Sequence, residues 1–390
     1  MSGGVDSSVA AHLLCEEGHE VIGVFMRHGA ESPLAGSVAC QSTGEAKRTE
    51  GQGQGGHGED TKPSAISAQL PIVSERLDHK QGCCSAADAE DGRRVADRLG
   101  IPFYSLNLQQ EFDQIIDYFV DEYTIGRTPN PCVMCNNWIK FGKLFDYADS
   151  VGADYVATGH YAQLVPATSA ADIPRLLRGV DGQKDQSYVL FGIDRVRLGR
   201  MLLPVGGFEK PRIRELAGQI GLRVAEKKDS QEICFVTSGK HAEFVRQRQD
   251  EAVDTAGEIV TTDGTVVGEH PGIEGFTIGQ RKGLRVAMGD PRFVVRIEPD
   301  TRRVVIGEKR DLAVDRLTAR DCNWLVDVPG EPRRCLAQIR YNSTAQPAVA
   351  ELLEGNRLQI SFDEPCYGVA PGQAIVCYDD QQVLGGGWIE

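Results

Sequence analysis

A chain of 390 residues is too long for one ordinary hydrophobic core, so two or three domains are expected. Its composition, 41% hydrophobic and 25% charged, is that of a globular protein, and no apolar run approaches the roughly eighteen residues of a helical membrane span. The net charge of −14 gives no general affinity for polyanions, so any nucleic-acid contact must rest on a local basic face.

Such faces are available at Lys210/Arg212/Arg214, Lys227/Lys228, Arg281/Lys282/Arg285 and Arg333/Arg334/Arg340, although short basic clusters are most often solvated surface. The start, MSGGVDSSVAAHLLCEEG, has an early acidic residue and no basic n-region, which is unlike a secretory signal. Eleven cysteines in so long a chain without an export signal read as thiols in a reducing cytoplasm.

In chain order, Ser2-Gly3-Gly4-Val5-Asp6-Ser7-Ser8 directly precedes a helix predicted over residues 9–17. Two glycines let backbone N–H groups approach an anion, and the helix N-terminus adds favourable partial charge. Serine hydroxyls can donate to phosphate, and Asp6 can help hold Mg2+. There is no Gly-Lys-Ser/Thr, which excludes the kinase-type P-loop. The stretch resembles the SGGxDS loop of ATP pyrophosphatases, which cleave ATP to AMP and pyrophosphate. Loops of that kind leave the end of a first strand, whereas Met1 abuts this one. The favoured expectation is a start placed at an internal Met. The alternative is a chain without that strand, with weaker ATP affinity.

A buried strand is predicted over residues 20–26 (EVIGVFM). Residues 28–80, rich in Gly, Ser and charge, read as a disordered insertion in which Cys40 and His57 carry no role. A helix over 85–99 is closed by Gly100 and Pro102; a strand follows over 102–106, helices over 111–124 and 136–150, and a strand over 154–158. Strand–helix alternation argues for a parallel sheet covered on both faces. Further helices are expected over 209–221 and 240–249, with KKDSQEICFV between them. From Phe293 the short runs FVVRIE, RRVVIG, RCLAQIRY, RLQISF and AIVCY, separated by turn signals, predict an appended antiparallel barrel or sandwich. The expected domains are 1–200, catalytic; 201–295, small and central, with a Cys234 loop returning to the active site; and 296–390, the terminal β-barrel.

Asn130-Pro131-Cys132-Val133-Met134-Cys135-Asn136 places a C-x-x-C just before a predicted helix, where a thiolate is stabilised. Cys234 lies in a polar stretch after Lys227, Lys228 and Asp229, and is the third candidate. Cys15, Cys322, Cys335, Cys366 and Cys377 read as packing, and Cys83 and Cys84 have no evident partner. One C-x-x-C without a second pair fits a redox pair, half of a zinc site or part of an iron–sulfur site.

Taken together, MSGGVDSS, VIGVFM, GRTPNPCVMCN, IKFGKL, GADYVATGHYA, LLRGVDGQKDQSYVL, PVGGFEKPRIRELA, KKDSQEICF, GEHPGIEGFTIGQRKGL, IRYNS and PGQA resemble the bacterial and organellar tRNA-specific 2-thiouridylase family over essentially the whole chain. The resemblance implies an adenine-nucleotide hydrolase-like (PP-loop) α/β domain, a small central domain and a C-terminal antiparallel β-barrel. It implies ATP binding by Ser2, Gly3, Gly4, Val5, Asp6, Ser7, Ser8, Met26 and Gly159. Asn130, Pro131 and Cys132 would contact the target base, while His160, Lys184, Asp185, Gln186, Arg340, Tyr341 and Gln373 would meet the tRNA. Cys135 and Cys234 would be the catalytic pair, with a persulfide sulfur-donor protein as second partner.

The implied chemistry activates the uridine C2 oxygen by adenylation and replaces it with persulfide sulfur. At position 132 the family pattern is Asn-Pro-Asp, and this chain has Cys132. Three thiols around one site allow a 4Fe-4S cluster on Cys132, Cys135 and Cys234 in place of the relay, or a bystander Cys132. Other readings are a different ATP pyrophosphatase, a non-catalytic tRNA-binding protein with a decayed nucleotide loop, and a zinc-stabilised binding module with His160 as fourth ligand.

Overall fold

In the computed structural model of the chain, residues 1–27, 85–167, 169, 172–227, 233–236, 241–248 and 254–390 are described. The 28–80 insertion with Cys40 and His57, the Cys83/Cys84 pair, Lys228 and Asp229 lie outside them. The first part runs α1 (Val5–Glu16), β1 (Gly23–Arg27), α2 (Ala86–Leu99), β2 (Phe103–Asn107) and α3 (Gln109–Thr124). It continues through α4 (Pro131–Met134), a π-helix (Cys135–Lys143), α5 (Leu144–Val151), β3 (Val156–Ala157), β4 (Ala162–Val165), β5 (Arg175–Arg178), β6 (Met201–Leu202), α6 (Lys210–Gln219) and α7 (His241–Arg248). None of these helices, nor any other among the described residues, is long and apolar enough to cross a membrane.

Local chemistry explains the boundaries. Ser85 caps α2 by accepting from Asp88 N, Asp88 returns the bond to the Ser85 N–H, and Gly100 ends the helix at φ +69°. In α3 the apolar residues Phe112, Ile115, Ile116, Phe119, Val120 and Tyr123 recur at helical spacing and form one buried stripe. The parallel pairing expected from the alternation of elements is present between β1 and β2, in register Gly23↔Phe103, and between β3 and β6.

The second part is all β. β7 (Gly257–Thr261), β8 (Val266–His270), β9 (Phe293–Glu298) and β10 (Arg303–Gly307) form a sheet in the order β8-β7-β10-β9. Thus β9 and β10, expected in the terminal β region, pair instead with the segment before them. Their inward residues Val294, Val304 and Ile306 share a core with Ile259, Ile273, Phe276 and Leu284. The last strands are β11 (Ala313–Trp324), β12 (Arg333–Gln338), β13 (Gln346–Leu353), β14 (Arg357–Tyr367), β15 (Ala374–Asp379) and β16 (Gln382–Ile389). Order β11-β14-β13-β12-β15-β16, with β16 returning to β11, closes an antiparallel barrel that leaves no free edge in that ring.

The hairpin β4–β5 joins the barrel sheet through Gln382↔Leu177. One buried cluster runs across the junction, from Val133, Phe141 and Phe145 through Leu176 and Tyr188 to Ala374, Val376 and Tyr378. Barrel and helical part are therefore welded by a continuous apolar core, and this holds the candidate site in place.

Candidate active site

Gly4 precedes α1 in extended backbone and has no side chain to cap it, so the first-turn N–H groups remain available to an anion. The loop before it is clamped on three sides. Gly3 has φ +67°, and a Cβ there would lie 2.2 Å from Asp88 O, so only glycine fits. Lys227 Nζ donates to Gly3 O (2.9 Å), Asp88 Oδ1 (2.6 Å) and Asp91 Oδ2 (2.8 Å). Burial pulls the Lys227 pKa down, but its two carboxylate partners outweigh this and hold it above the ordinary lysine value. Gly159, just after β3, passes so close that a Cβ would stand 2.7 Å from Asp6 C and from Ser7 N.

Asp6 is held by buried Lys210, whose Nζ lies 2.8 Å from both carboxylate oxygens, and by Tyr161, whose hydroxyl donates to Oδ1 at 2.7 Å. Ser2 and Ser7 hydroxyls lie 3.2 Å apart, and Ser8 Oγ donates to Gly4 O at 2.8 Å. Ser2 to Ser8 and Gly159 are thus gathered into one cradle at a helix N-terminus.

The C-x-x-C lies inside the helical segment rather than before it. Asn130 caps α4 by accepting from Val133 N at 3.3 Å, and Pro131 occupies the first helical position, which its fixed φ suits. Cys132 is exposed on that first turn, whereas Cys135 opens the π-helix and is half-buried. Cys135, Cys234 and Met26 all pack against the same apolar cluster, which contains Leu108, Phe112, Ile115, Phe119 and Ile139. The fold thereby brings three residues far apart in sequence onto one core.

The residues assigned to RNA divide into two groups. Gln373, at the barrel end, donates to Thr128 O (3.2 Å) and Pro129 O (2.9 Å), and its Oε1 accepts from Asn130 Nδ2 (3.5 Å). It therefore positions the turn that starts α4. Tyr341 is exposed; burial of its hydroxyl region first, then the neighbouring charges of Asp185 and Cys132, raises its pKa. Others turn inward. Asp185 accepts from Arg178, Gly179 N and both donors of Ser187 at 2.9–3.0 Å, and Gln186 pairs with the Tyr161 backbone. His160 is buried between Thr158 Oγ1 (2.8 Å) and Lys140 Nζ (3.5 Å). Desolvation, then Lys140, holds its pKa well below the ordinary histidine value, so it is neutral. Lys184 is half-exposed in the turn that begins at Asp181, and Arg340 donates to Ile278 O (2.7 Å) and Gly368 O (2.5 Å).

A family model described as a tRNA methyl transferase HUP domain matches residues 1–51 and 61–238. A tRNA methyl transferase PRC-barrel domain model matches 242–308, and an aminomethyltransferase beta-barrel domain model matches 314–389. Proteins named tRNA-specific 2-thiouridylase MnmA from Rhodopirellula baltica, Carboxydothermus hydrogenoformans and Geobacter metallireducens are 56%, 42% and 43% identical to it. Each match covers 100% of this chain, and 94%, 96% and 95% of the respective relative. The chain belongs to the tRNA-specific 2-thiouridylase family. The three matched segments of this thiouridylase chain correspond to the α/β part, the β7–β10 sheet and the closed barrel.

Among the described residues of this family member no three His, Cys, Asp or Glu side chains are arranged to hold an ion. Cys132 is exposed, while Cys135 and Cys234 are half-buried against the apolar cluster. Lys210 and Lys227, read from sequence only as members of basic clusters, and Tyr161 and Asp88 prove to hold the loop at α1. One signal was readable: Lys210 opens α6, and a cation at a helix N-terminus is electrostatically misplaced unless an anion faces it.

Proposed function

We propose that the chain thiolates the wobble uridine of tRNA at C2, using ATP to activate the oxygen and a cysteine persulfide to supply sulfur. The convergence of Cys135, Cys234 and Met26 on one cluster carries this reading. The loop at α1 suits ATP, with first-turn N–H groups and Ser hydroxyls facing phosphate. Asp6 uses three of about four acceptor positions on Lys210 and Tyr161, leaving room for one bond to a phosphate-held Mg2+, which would screen phosphate charge. The family-model descriptions mention methyl transfer; a phosphate-type loop together with two thiols on one cluster favours sulfur.

In the proposed sequence the uridine O2 attacks the α-phosphorus of ATP and pyrophosphate leaves. The terminal sulfur of a Cys234 persulfide, loaded by a donor protein, adds at C2, and AMP departs with the former O2. The Cys135 thiolate then attacks Cys234 Sγ and breaks the Sγ–S bond. This leaves sulfur on C2 and a Cys135–Cys234 disulfide that an external thiol reduces, as a reducing cytoplasm allows. In this reading the turn at Asn130, held by Gln373, meets a base splayed from the anticodon stack.

The test is anaerobic incubation of the full chain with ATP, unmodified tRNA and a persulfide donor, with AMP and 2-thiouridine quantified together. Both are expected to rise in step. Cys135→Ser and Cys234→Ser should each abolish thiolation while ATP binding survives. Parent-like thiolation by either variant overturns the reading.

A further inference from the structure

Residues 279–292, between Ile278 and β9, take no part in the chemistry above, yet they form a built loop. Gly279 N donates to Val294 O (2.8 Å) and Val294 N to Gln280 O (2.9 Å). The Gln280 side chain accepts from Thr277 N (3.0 Å) and donates to Lys282 O (3.1 Å). Leu284 is buried in the β7–β10 core, and the left-handed φ of Gly283 (+82°) and Arg285 (+56°) turn the chain around it. Arg281, Lys282 and Arg285 consequently stand exposed on either side of that anchor.

Among the described residues none of these three cations has an ion-pair partner. In this acidic chain other surface arginines do: Arg296 with Glu298, Arg303 with Glu258, Arg334 with Asp363. Arg281 and Arg285 line, with Arg292 and Asp290, a cleft of about 210 Å³, and Lys282 flanks it. Arg292 reaches Glu308 at 3.4 Å, but its Nε is buried without an acceptor among the described residues. Four cations against two carboxylates leave a local positive excess on a protein of net charge −14. The base of the loop is tied to the barrel, because Arg340 donates to Ile278 O at 2.7 Å.

We propose that Arg281, Lys282 and Arg285, backed by Arg292, bind phosphodiesters of the RNA substrate away from the target base. A guanidinium fork matches phosphate oxygens, and cations set around a cleft focus a positive potential that attracts a polyanion. The inference rests on the RNA substrate of the preceding reading and is independent of its adenylation and persulfide steps.

The test uses the full chain with Arg281→Gln, Lys282→Gln and Arg285→Asn, asparagine being chosen because it tolerates the positive φ at that position. Binding of unmodified tRNA is followed by fluorescence anisotropy from about 50 to 200 mM salt. Each lost phosphate contact removes roughly 0.7–0.9 from the slope of log K against log salt, so the slope should fall by about 2–3. KM for tRNA should rise, with kcat at saturating tRNA and the affinity for ATP unchanged. Arg281→Lys with Arg285→Lys should keep the slope. A parent-like slope and Kd in a normally melting triple variant overturns the proposal. Normal tRNA binding with weakened response to the persulfide donor also overturns it, and moves the loop to an acidic protein partner. A parent chain that fails to bind tRNA sinks the functional reading as well, which separates the two failures.

Discussion

Gly159→Ala tests whether the nucleotide cradle depends on close backbone packing. The added Cβ would stand 2.7 Å from Asp6 C and Ser7 N and 3.0 Å from Asp6 Cβ. Comfortable contact begins near 3.5 Å, so the two segments must part by roughly 0.5–0.8 Å, against backbone rather than a flexible side chain. Such overpacking costs about 1–3 kcal/mol. Taken up by displacement of the first turn of α1, that is a loss of about 5- to 150-fold in ATP affinity. Titration calorimetry with ATP and thermal melting read the two effects. Two glycines serve as controls. A Cβ on Gly4 meets only Ser2 Oγ at 3.5 Å, so Gly4→Ala should cost under about 1 kcal/mol of stability while placing a methyl group on the anion side of the loop. Gly182 faces open space, and Gly182→Ala should change neither quantity. A Gly159→Ala protein with parent ATP affinity and parent melting refutes the idea that this approach shapes the site.

Other outcomes follow from the same contacts. Lys210→Met removes the ammonium held by both oxygens of Asp6 and should lower stability by about 1–3 kcal/mol and weaken ATP binding, measured by denaturant titration and calorimetry. Gln373→Ala deletes its bonds to Thr128, Pro129 and Asn130 and should raise KM for tRNA with ATP affinity intact; an unchanged KM counts against a positioning role. Cys132→Asp should keep thiolation, since Cys132 is exposed and outside the apolar cluster that Cys135 and Cys234 share; joint loss of iron and activity in anaerobic preparations would favour the cluster reading. Finally, His160 is depressed in the fold, so the unfolded chain binds the proton first as pH drops below about 6.5. Its contribution is complete above that pH and is lost progressively below it. Urea melts between about pH 7 and pH 5.5 should show stability falling with pH, and His160→Gln should flatten the slope.

Much of this site was legible because its signals are local. Gly3-Gly4 before a helix read as a candidate anion loop, and the C-x-x-C as thiols beside a helix, from residue type and spacing alone. Asn130 and Pro131 show their role in backbone chemistry alone, yet the helix was expected only from residue 136, since periodicity reports packing and not caps. The grouping of β9 and β10 was not legible. FVVRIE and RRVVIG carry the same alternation as the barrel strands, and a period of two does not say which sheet a strand joins. His160, Asp185 and Arg340 look like surface recognition residues in one dimension. Only in three dimensions do they become groups bonded to protein partners, His160 buried and Asp185 and Arg340 half-buried.

By itself the sequence determined the glycine-rich loop before a helix, the C-x-x-C, the succession of α/β and β regions, and the family, since residue type and spacing carry each of these. The tertiary structure alone decided that Lys210 and Tyr161 hold Asp6, that Lys227 clamps Gly3, and that Cys234 shares a cluster with Cys135 while Cys132 stays outside it. These are contacts between segments dozens to hundreds of residues apart. Their partners are chosen by packing and by the need to neutralise or hydrogen-bond what packing buries, and neither has a periodicity to be read along the chain.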